Sequence, residues 1–423
     1  MSLRRAVLCC GMLAACEGGG TSERPATIPA VTLLTPAQWS GGVVQVESDA
    51  FPALATLPAF TIGADTLAAA RLPADRVALT LPVLASGSAV LVVHGEGDSL
   101  VVGTVQVYGM GSAHRYAVNF AHDAVPVPGP RPRFLAMGDS AYTAAILDPA
   151  TGTLTQVSGV APLQLGGYAP GPLSGRYVAR GPGSFVPEVW NLFPGVTHLD
   201  TVPFWDPAST GIVPLTDSTW VEWSDQWMSA ANTAAGTHVS WPFPNTGRLV
   251  VSPRGDLVLL AAVTTHGDPL PVLRTGTAGP AFFLAGFLAL RAAAFSPSGD
   301  TLLVALDYAA QEDSLLAFRT ADGARLGGTA LPAGLHPIHL SLDPRNARLA
   351  VLASGAGQSR EVLVYNRFSL AREATLACPG GCTVDIQVAE VDTVANRVWL
   401  VGYGGVWHPS GAGVAVIGFD LLP

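Results

Sequence analysis

Four times between Arg248 and Val401 the chain returns to one local pattern: an apolar strand, a tight polar turn and a second apolar strand. The first copy is Val250-Val251-Ser252-Pro253-Arg254-Gly255-Asp256-Leu257-Val258-Leu259, and the second is Ala294-Phe295-Ser296-Pro297-Ser298-Gly299-Asp300-Thr301-Leu302-Leu303. Leu340-Ser341-Leu342-Asp343-Pro344-Arg345-Asn346-Ala347-Arg348-Leu349 keeps the proline and brings Asn in late, and Val391-Asp392-Thr393-Val394-Ala395-Asn396-Arg397-Val398-Trp399 is a looser fourth copy. Proline presets φ for an early turn position, and Gly or Asn accepts the left-handed backbone that closes the turn. The flanking residues are β-branched or large and apolar, as a buried sheet requires.

Marking the start of the second strand extends the pattern backwards. Phe134, Tyr177, Trp220, Leu257, Leu302, Leu349 and Val398 follow one another at spacings of 43, 43, 37, 45, 47 and 49 residues. A unit of about 40 to 50 residues is the size of one four-stranded propeller blade, so seven marks predict seven blades. Leu315-Leu316-Ala317-Phe318-Arg319-Thr320-Ala321-Asp322-Gly323-Ala324-Arg325-Leu326 resembles the strand–turn–strand of WD-like and YVTN-type β-propellers of bacterial exported proteins. The resemblance runs from about Pro130 to the C-terminus. It implies a fold more than an activity, because propellers host many chemistries.

The N-terminus reads as an address. Arg4 and Arg5 precede the apolar Ala6 to Ala15, and Leu13-Ala14-Ala15-Cys16 resembles the lipobox of bacterial lipoproteins. That likeness implies a signal peptide over residues 1–15 and lipid on Cys16; the plainer alternative is an ordinary signal peptide with an incidental cysteine. Each buried methylene of an acyl chain contributes roughly 0.8 kcal/mol, so several chains would anchor a soluble body. Residues 16–30, rich in Gly, Ser, Thr and Pro after the cysteine, read as a flexible tether.

Residues 31–110 read as a small separate β-domain, with strands expected at Val43 to Glu47, Phe60 to Ile62, Val77 to Leu81, Ala89 to His94 and Val101 to Val107. Val31-Thr32-Leu33-Leu34-Thr35-Pro36 followed by Gly41-Gly42-Val43-Val44-Gln45-Val46 resembles the IPT/TIG type of immunoglobulin-like domain. Ser48-Asp49-Ala50-Phe51 departs from that family's Gly-x-Phe. Asp65 to Arg71 could form one helical turn, limited by Pro73. The expected architecture is therefore all-β: a small N-terminal immunoglobulin-like β-sandwich and a seven-bladed β-propeller over residues 111–423. Because Val414 to Leu422 supplies only the third strand of the last blade, Arg115 to Phe120 is expected to pair with Val414 to Phe419 and close the ring, removing sticky edges.

Composition excludes several functions. The chain has 22 Lys plus Arg, every one of them Arg, which rules out a phosphate-loop lysine, a Schiff-base lysine and Ser-Lys catalysis. A net charge of −9, more negative still once Arg4 and Arg5 leave, provides no basic patch for nucleic acid. There is no Gly-x-Ser-x-Gly, no His-Glu-x-x-His and no cofactor motif; no cofactor and no metal are expected. Ala281 to Leu290, the longest late apolar run, is far short of the about 20 residues that span a bilayer and reads as two successive strands.

Candidate sites are scattered. Cys378 and Cys382 flank Pro379-Gly380-Gly381, and in an exported protein a disulfide is the plain reading beside a thiol pair in redox work. Trp220, Trp223 and Trp227 break strand alternation, so one ring is expected to leave the core; packing between blades and an aromatic binding platform are the two readings. His266 and Asp268, Gln311-Glu312-Asp313, and Trp407 with His408 fall in loops between second and third strands, which a propeller gathers at one end of its channel; each is otherwise an exposed polar loop. His336 and His339 should point to opposite faces of one strand. Arg291 to Phe295 and His339 to Leu342 make the innermost strands look mainly apolar. The expectation is a lipid-anchored extracytoplasmic recognition or scaffold protein of the bacterial cell envelope that binds an envelope protein or glycan. The alternative is a propeller enzyme, lactonase-like or a dehydrogenase.

Overall fold

The computed structural model describes residues 30–420 apart from positions 96, 225, 233 and 393 and segments 117–120, 128–130, 139–143, 158–160, 163–175, 181–186, 192–196, 202–210, 216–217, 243–246, 263–268, 276–279, 285–289, 308–313, 344–346, 356–359, 378–385 and 404–413. Among the described residues there is no α-helix, and so none long and apolar enough to cross a membrane.

Residues 32–108 form two sheets packed face to face. One carries Thr32–Leu33, Val43–Glu47, Arg76–Thr80 and Ala68–Leu72; the other carries Ala37–Trp39, Ser99–Tyr108, Gly87–His94, Ala59–Ile62 and Asp65–Thr66. Alternate residues point inward, as the two-residue period of a strand dictates. Val44, Val46, Val77 and Leu79 of the first sheet meet Phe60, Ile62, Leu91, Val93, Val105 and Val107 of the second, all fully buried. Each such side chain contributes roughly 1.5–3 kcal/mol. The five expected strands are all present, Val43–Glu47 with the expected bounds and the other four shifted by one or two residues at their ends. The helical turn over Asp65 to Arg71 is not: Asp65–Thr66 and Ala68–Leu72 are strands. Ala69 pairs with Leu79 and Leu72 with Arg76, and the hairpin bonds outweigh the helix preference of three alanines in a segment too short to hold a helix.

From Met110 onward, the described strands form seven four-stranded antiparallel sheets, numbered here 1 to 7 in chain order. Their second strands are Arg133–Gly138, Arg176–Arg180, Thr219–Trp223, Leu257–Ala262, Thr301–Leu306, Arg348–Ser354 and Arg397–Tyr403. Each of the seven marked residues is the first or second residue of one of them. The first strands of sheets 4 to 7 lie against one another in order, and Ala121–Val127 of sheet 1 lies against Ile386–Asp392 of sheet 7. Sheets 4 to 7 and sheet 1 thus run round a common axis with their first strands innermost. Sheet 7 takes its outermost strand from the other end of the chain: Met110–Tyr116 pairs with Val414–Asp420, with Arg115 opposite Ala415 and Tyr116 opposite Val414. The expected closing pairing is met at these residues; 117–120 lie outside the described residues.

Stacking follows from register. In sheet 5, Leu302, Val304 and Leu306 join the core shared with sheet 4, while Leu303 and Ala305 join the core shared with sheet 6. In sheet 6, Leu349, Val351 and Ala353 face sheet 5, and Ala350 and Leu352 face Val398 and Leu400 of sheet 7. A second strand covered on both faces must be apolar throughout, which is why these segments read as continuous hydrophobic runs.

The repeated turns hold themselves shut. Ser252 Oγ donates to Asp256 Oδ1 at 2.7 Å and accepts from the Leu257 amide at 3.0 Å. Ser296 repeats both bonds to Asp300 (2.8 Å) and Thr301 (3.0 Å). The next turn clips on: Thr275 Oγ1 donates to the Gly255 carbonyl, and Thr320 Oγ1 to that of Gly299. Gly255 and Gly299 take φ of +69° and +75°, and Asn396 in the looser copy takes +52°, the left-handed region that the turn chemistry anticipates.

Candidate functional site

Strand direction sorts the connections of the ring. First-to-second and third-to-fourth turns lie at one end, the turn end; second-to-third and fourth-to-first connections lie at the other, the loop end. Tyr108, Gly109 and Asp420 sit at the turn end, because Met110 lies opposite Phe419. The sandwich therefore joins the ring at its turn end. Ala37, Trp39 and Tyr108 are buried in one core with Leu352, Val362, Val364 and Leu376 of sheet 6 and Val398 and Leu400 of sheet 7. Burial pushes the Tyr108 hydroxyl above its ordinary range, against the lowering influence of Arg348. A cleft of about 520 Å³ lined by Phe51, Leu54, Arg71 and Arg76 belongs to the opposite pole of the sandwich.

The loop end is where the sequence placed its scattered candidates. His266 and Asp268 fall between Leu257–Ala262 and Leu270–Arg274, Gln311 to Asp313 between Thr301–Leu306 and Ser314–Arg319, and Trp407 and His408 between Arg397–Tyr403 and Val414–Asp420. All are second-to-third connections, and all lie outside the described residues, as do Cys16, Cys378 and Cys382.

A described cluster stands at the same end. The innermost strand of sheet 5, Leu290–Phe295, opens on a bulge: Leu290 pairs with Leu306 and Ala292 with Ala305, leaving Arg291 as the extra residue. Bulges recur at the equivalent place in sheets 1, 6 and 7. Such a bulge bends the strand and re-aims one side chain. Arg291 Nε donates to Asp307 Oδ2 at 3.2 Å, and Asp307 Oδ1 lies 3.1 Å from Nδ1 of His336, the first residue of sheet 6. The side chains of Arg291 and His336 are 47% and 55% exposed, that of Asp307 only 14%. One nearly buried carboxylate thus orients two outward-facing basic groups. Nearby in sheet 6, burial pushes the Glu361 carboxyl up, with Arg372 opposing.

Deeper along the same strands, His339 is buried. Its Nδ1 lies 3.1 Å from the Ala389 carbonyl and its Nε2 3.3 Å from Glu390 Oε1. Ser341 Oγ donates to Glu390 Oε2 at 2.8 Å and accepts from the Val391 amide at 2.9 Å. These side chains cap the inner edge of Ile386–Asp392, the edge strand of its sheet among the described residues. His336 meets Asp307 of sheet 5 and His339 meets Ala389 and Glu390 of sheet 7, so the two point to opposite faces. The innermost strands are less apolar than their sequences suggested.

The tryptophans need a correction. Every residue of Thr219–Trp223 is buried, so Trp220 and Trp223 offer no face to a ligand. The strand is covered on both sides, and a break in alternation does not expel a ring where there is no solvent side. Only Trp227, half-buried at the start of Trp227–Asn232, leaves the core. Glu222, between Trp220 and Trp223, is buried too and accepts from Ser229 Oγ at 3.0 Å.

Among the described residues no group of three or more His, Cys, Asp or Glu side chains could hold a metal ion. What sequence reading missed was Arg291 with Asp307 and His336. The available signal was the hairpin register, which brings position 307 back beside position 291.

Compared by sequence, the chain matches no family model and no curated protein. Compared by fold, it is similar to a chain in the crystal structure of a mitotic checkpoint complex, with a TM-score of 0.54 at 9% identity, covering 74% of this chain and 96% of that one. The β-propeller domain of Cps50 (Swd1) from Myceliophteria thermophila gives a TM-score of 0.49 at 14% identity, covering 74% and 98%. The neighbours are WD40 β-propeller proteins, and at such identity the likeness is one of fold alone: this chain is an all-β protein with a β-propeller fold.

Proposed function

We propose that this protein is a non-catalytic recognition scaffold of the bacterial cell envelope. Lipid on Cys16 holds it to a membrane, residues 17–30 tether it, an immunoglobulin-like sandwich spaces it, and a seven-bladed ring presents its loop end to an envelope protein or glycan. The observation that carries this reading is the junction. The sandwich strand Ser99–Tyr108 runs through Gly109 directly into the ring's closing strand, and Trp39 and Tyr108 are buried against sheets 6 and 7. Spacer and ring are therefore joined by a packed core rather than a loose linker, at the turn end. The loop end lies opposite the end of the ring that carries the sandwich.

The polar chemistry of the inner strands supports binding over catalysis. His339 and Ser341 cap a strand edge, and Ser252, Asp256, Ser296 and Asp300 close turns. These polar groups are taken up by one another and by the backbone. The exposed basic groups at the loop end are those that a partner could meet.

The test is a crosslinked pull-down from intact cells with the native chain as bait and Cys16→Ser as the unanchored control. Recovery of one envelope component in stoichiometric amount with the anchored bait alone is expected. Recovery of background only from both baits would overturn the scaffold reading.

A further inference from the structure

We infer that Arg291, held by Asp307, is a receptor for a side-chain carboxylate, so that the loop end recognises an acidic peptide segment. This deepens the scaffold reading and rests on it for the choice of a protein partner. Three observations carry it.

The first is aim. Arg291 is the bulged residue of an innermost strand, so its side chain is released from the alternation that buries its neighbours Leu290 and Ala292. The second is preorganisation. Asp307 uses one oxygen on Arg291 Nε and the other on His336 Nδ1. Pinning a guanidinium through Nε leaves its two terminal nitrogens as a fork, and neither has a partner among the described residues. A fork of that geometry matches a carboxylate with two parallel hydrogen bonds. The third is local charge. His336 pairs with Ser354 and Ser354 with Arg360 across sheet 6, so Arg360 stands in the same cross-strand row as His336. Arg291 and His336 both meet the nearly buried Asp307 carboxylate, and Arg360 follows two strands further along the row, in a chain whose net charge is −9. At physiological salt, charges beyond a Debye length of about 8 Å are screened, so the groups close to Arg291, rather than the net charge of the whole chain, set what binds there.

The experiment uses the full chain as Cys16→Ser and a fluorescein-labelled hexaglutamate peptide, with hexaserine as the neutral control, read by fluorescence anisotropy. Saturable binding of hexaglutamate but not hexaserine is expected, weakening as salt rises. Arg291→Ala should lower the affinity about tenfold or more, the loss of a charged two-bond contact. Arg291→Lys keeps the charge but not the fork and should recover only part of it. Asp307→Asn, which loosens the guanidinium without touching the peptide, should weaken binding several-fold, and circular dichroism on each variant verifies the fold. Unchanged hexaglutamate affinity in Arg291→Ala, or full rescue by lysine, would overturn the proposal. So would absence of hexaglutamate binding; if the pull-down still recovered an envelope partner, the scaffold reading would survive without this site.

Discussion

Ser86 donates its hydroxyl proton to Oδ2 of Asp420 at 2.6 Å, joining residues 334 positions apart. The Gly109 amide donates to the same hydroxyl at 3.0 Å, and the Asp420 amide donates to the Gly109 carbonyl at 2.9 Å. The other oxygen, Oδ1, accepts from Arg397 Nε at 3.1 Å and from a terminal nitrogen at 2.9 Å. One carboxylate near the end of the chain thus ties the sandwich, the closing strand and the second strand of sheet 7.

Removing that tie should cost stability without changing the fold. Asp420→Ala is expected to lower the unfolding free energy by about 1–2 kcal/mol, less than a buried charged network would lose because the site is partly open to water. Ser86→Ala should cost under about 1 kcal/mol. The double mutant should show coupling, since the two residues share a bond. Urea unfolding of the four proteins measures this, and strict additivity would mean that the bond contributes nothing.

Trp39 is fully buried between the sandwich and sheets 6 and 7. Trp39→Ala should destabilise the chain by about 3–5 kcal/mol through lost burial and the cavity left behind. Limited proteolysis should then cut between sandwich and ring, where the native chain is expected to resist. Cleavage unchanged by the substitution would show that the packed junction is not what protects it.

Asp300 accepts hydrogen bonds from Ser298 and Ser296, which hold its carboxyl below the usual range. A group depressed in the folded state contributes stability above its unfolded pKa and loses it as pH falls through the folded value. The urea midpoint should therefore drop across the acid range, and Asp300→Asn should flatten that part of the profile. An identical acid limb in the variant would refute the assignment.

Tyr365 is fully buried, its hydroxyl has no hydrogen-bond partner among the described residues, and burial pushes its pKa up to about 12. The folded state keeps the phenol neutral while the unfolded chain ionises near its ordinary value, so stability should fall as pH rises above about 10. Tyr365→Phe removes an unsatisfied buried polar atom. It should raise stability at neutral pH by about 1 kcal/mol and blunt the alkaline loss. Denaturation at pH 7 and pH 11 checks both, and a destabilised variant at pH 7 would mean the hydroxyl has a partner.

The second strands were legible because they follow a turn with local chemistry. Ser252-Pro253-Arg254-Gly255-Asp256 states its own conformation in five residues, and the strand after it must begin where the turn ends. The closing pair was legible for another reason: a ring short of one strand leaves few places to find it, and Arg115 with Tyr116 was the near one. Trp220 and Trp223 were misread because alternation assumes a solvent face, which a strand between two sheets does not have. Ala68–Leu72 was misread because helix preference is weak in a short segment and the hairpin partner lies outside it.

By itself the sequence determined the strand-and-turn rhythm, the places where second strands begin, the lack of lysine and the apolar runs that two-sided burial requires, since each depends on residues a few positions apart. The tertiary structure alone decided that Arg291 meets Asp307 and His336, that His339 and Ser341 cap the inner edge of sheet 7, and that Ser86 meets Asp420. Those contacts depend on hairpin register, on a bulge and on which sheet stacks beside which. Burial summed over the whole ring sets these, and no local preference encodes them.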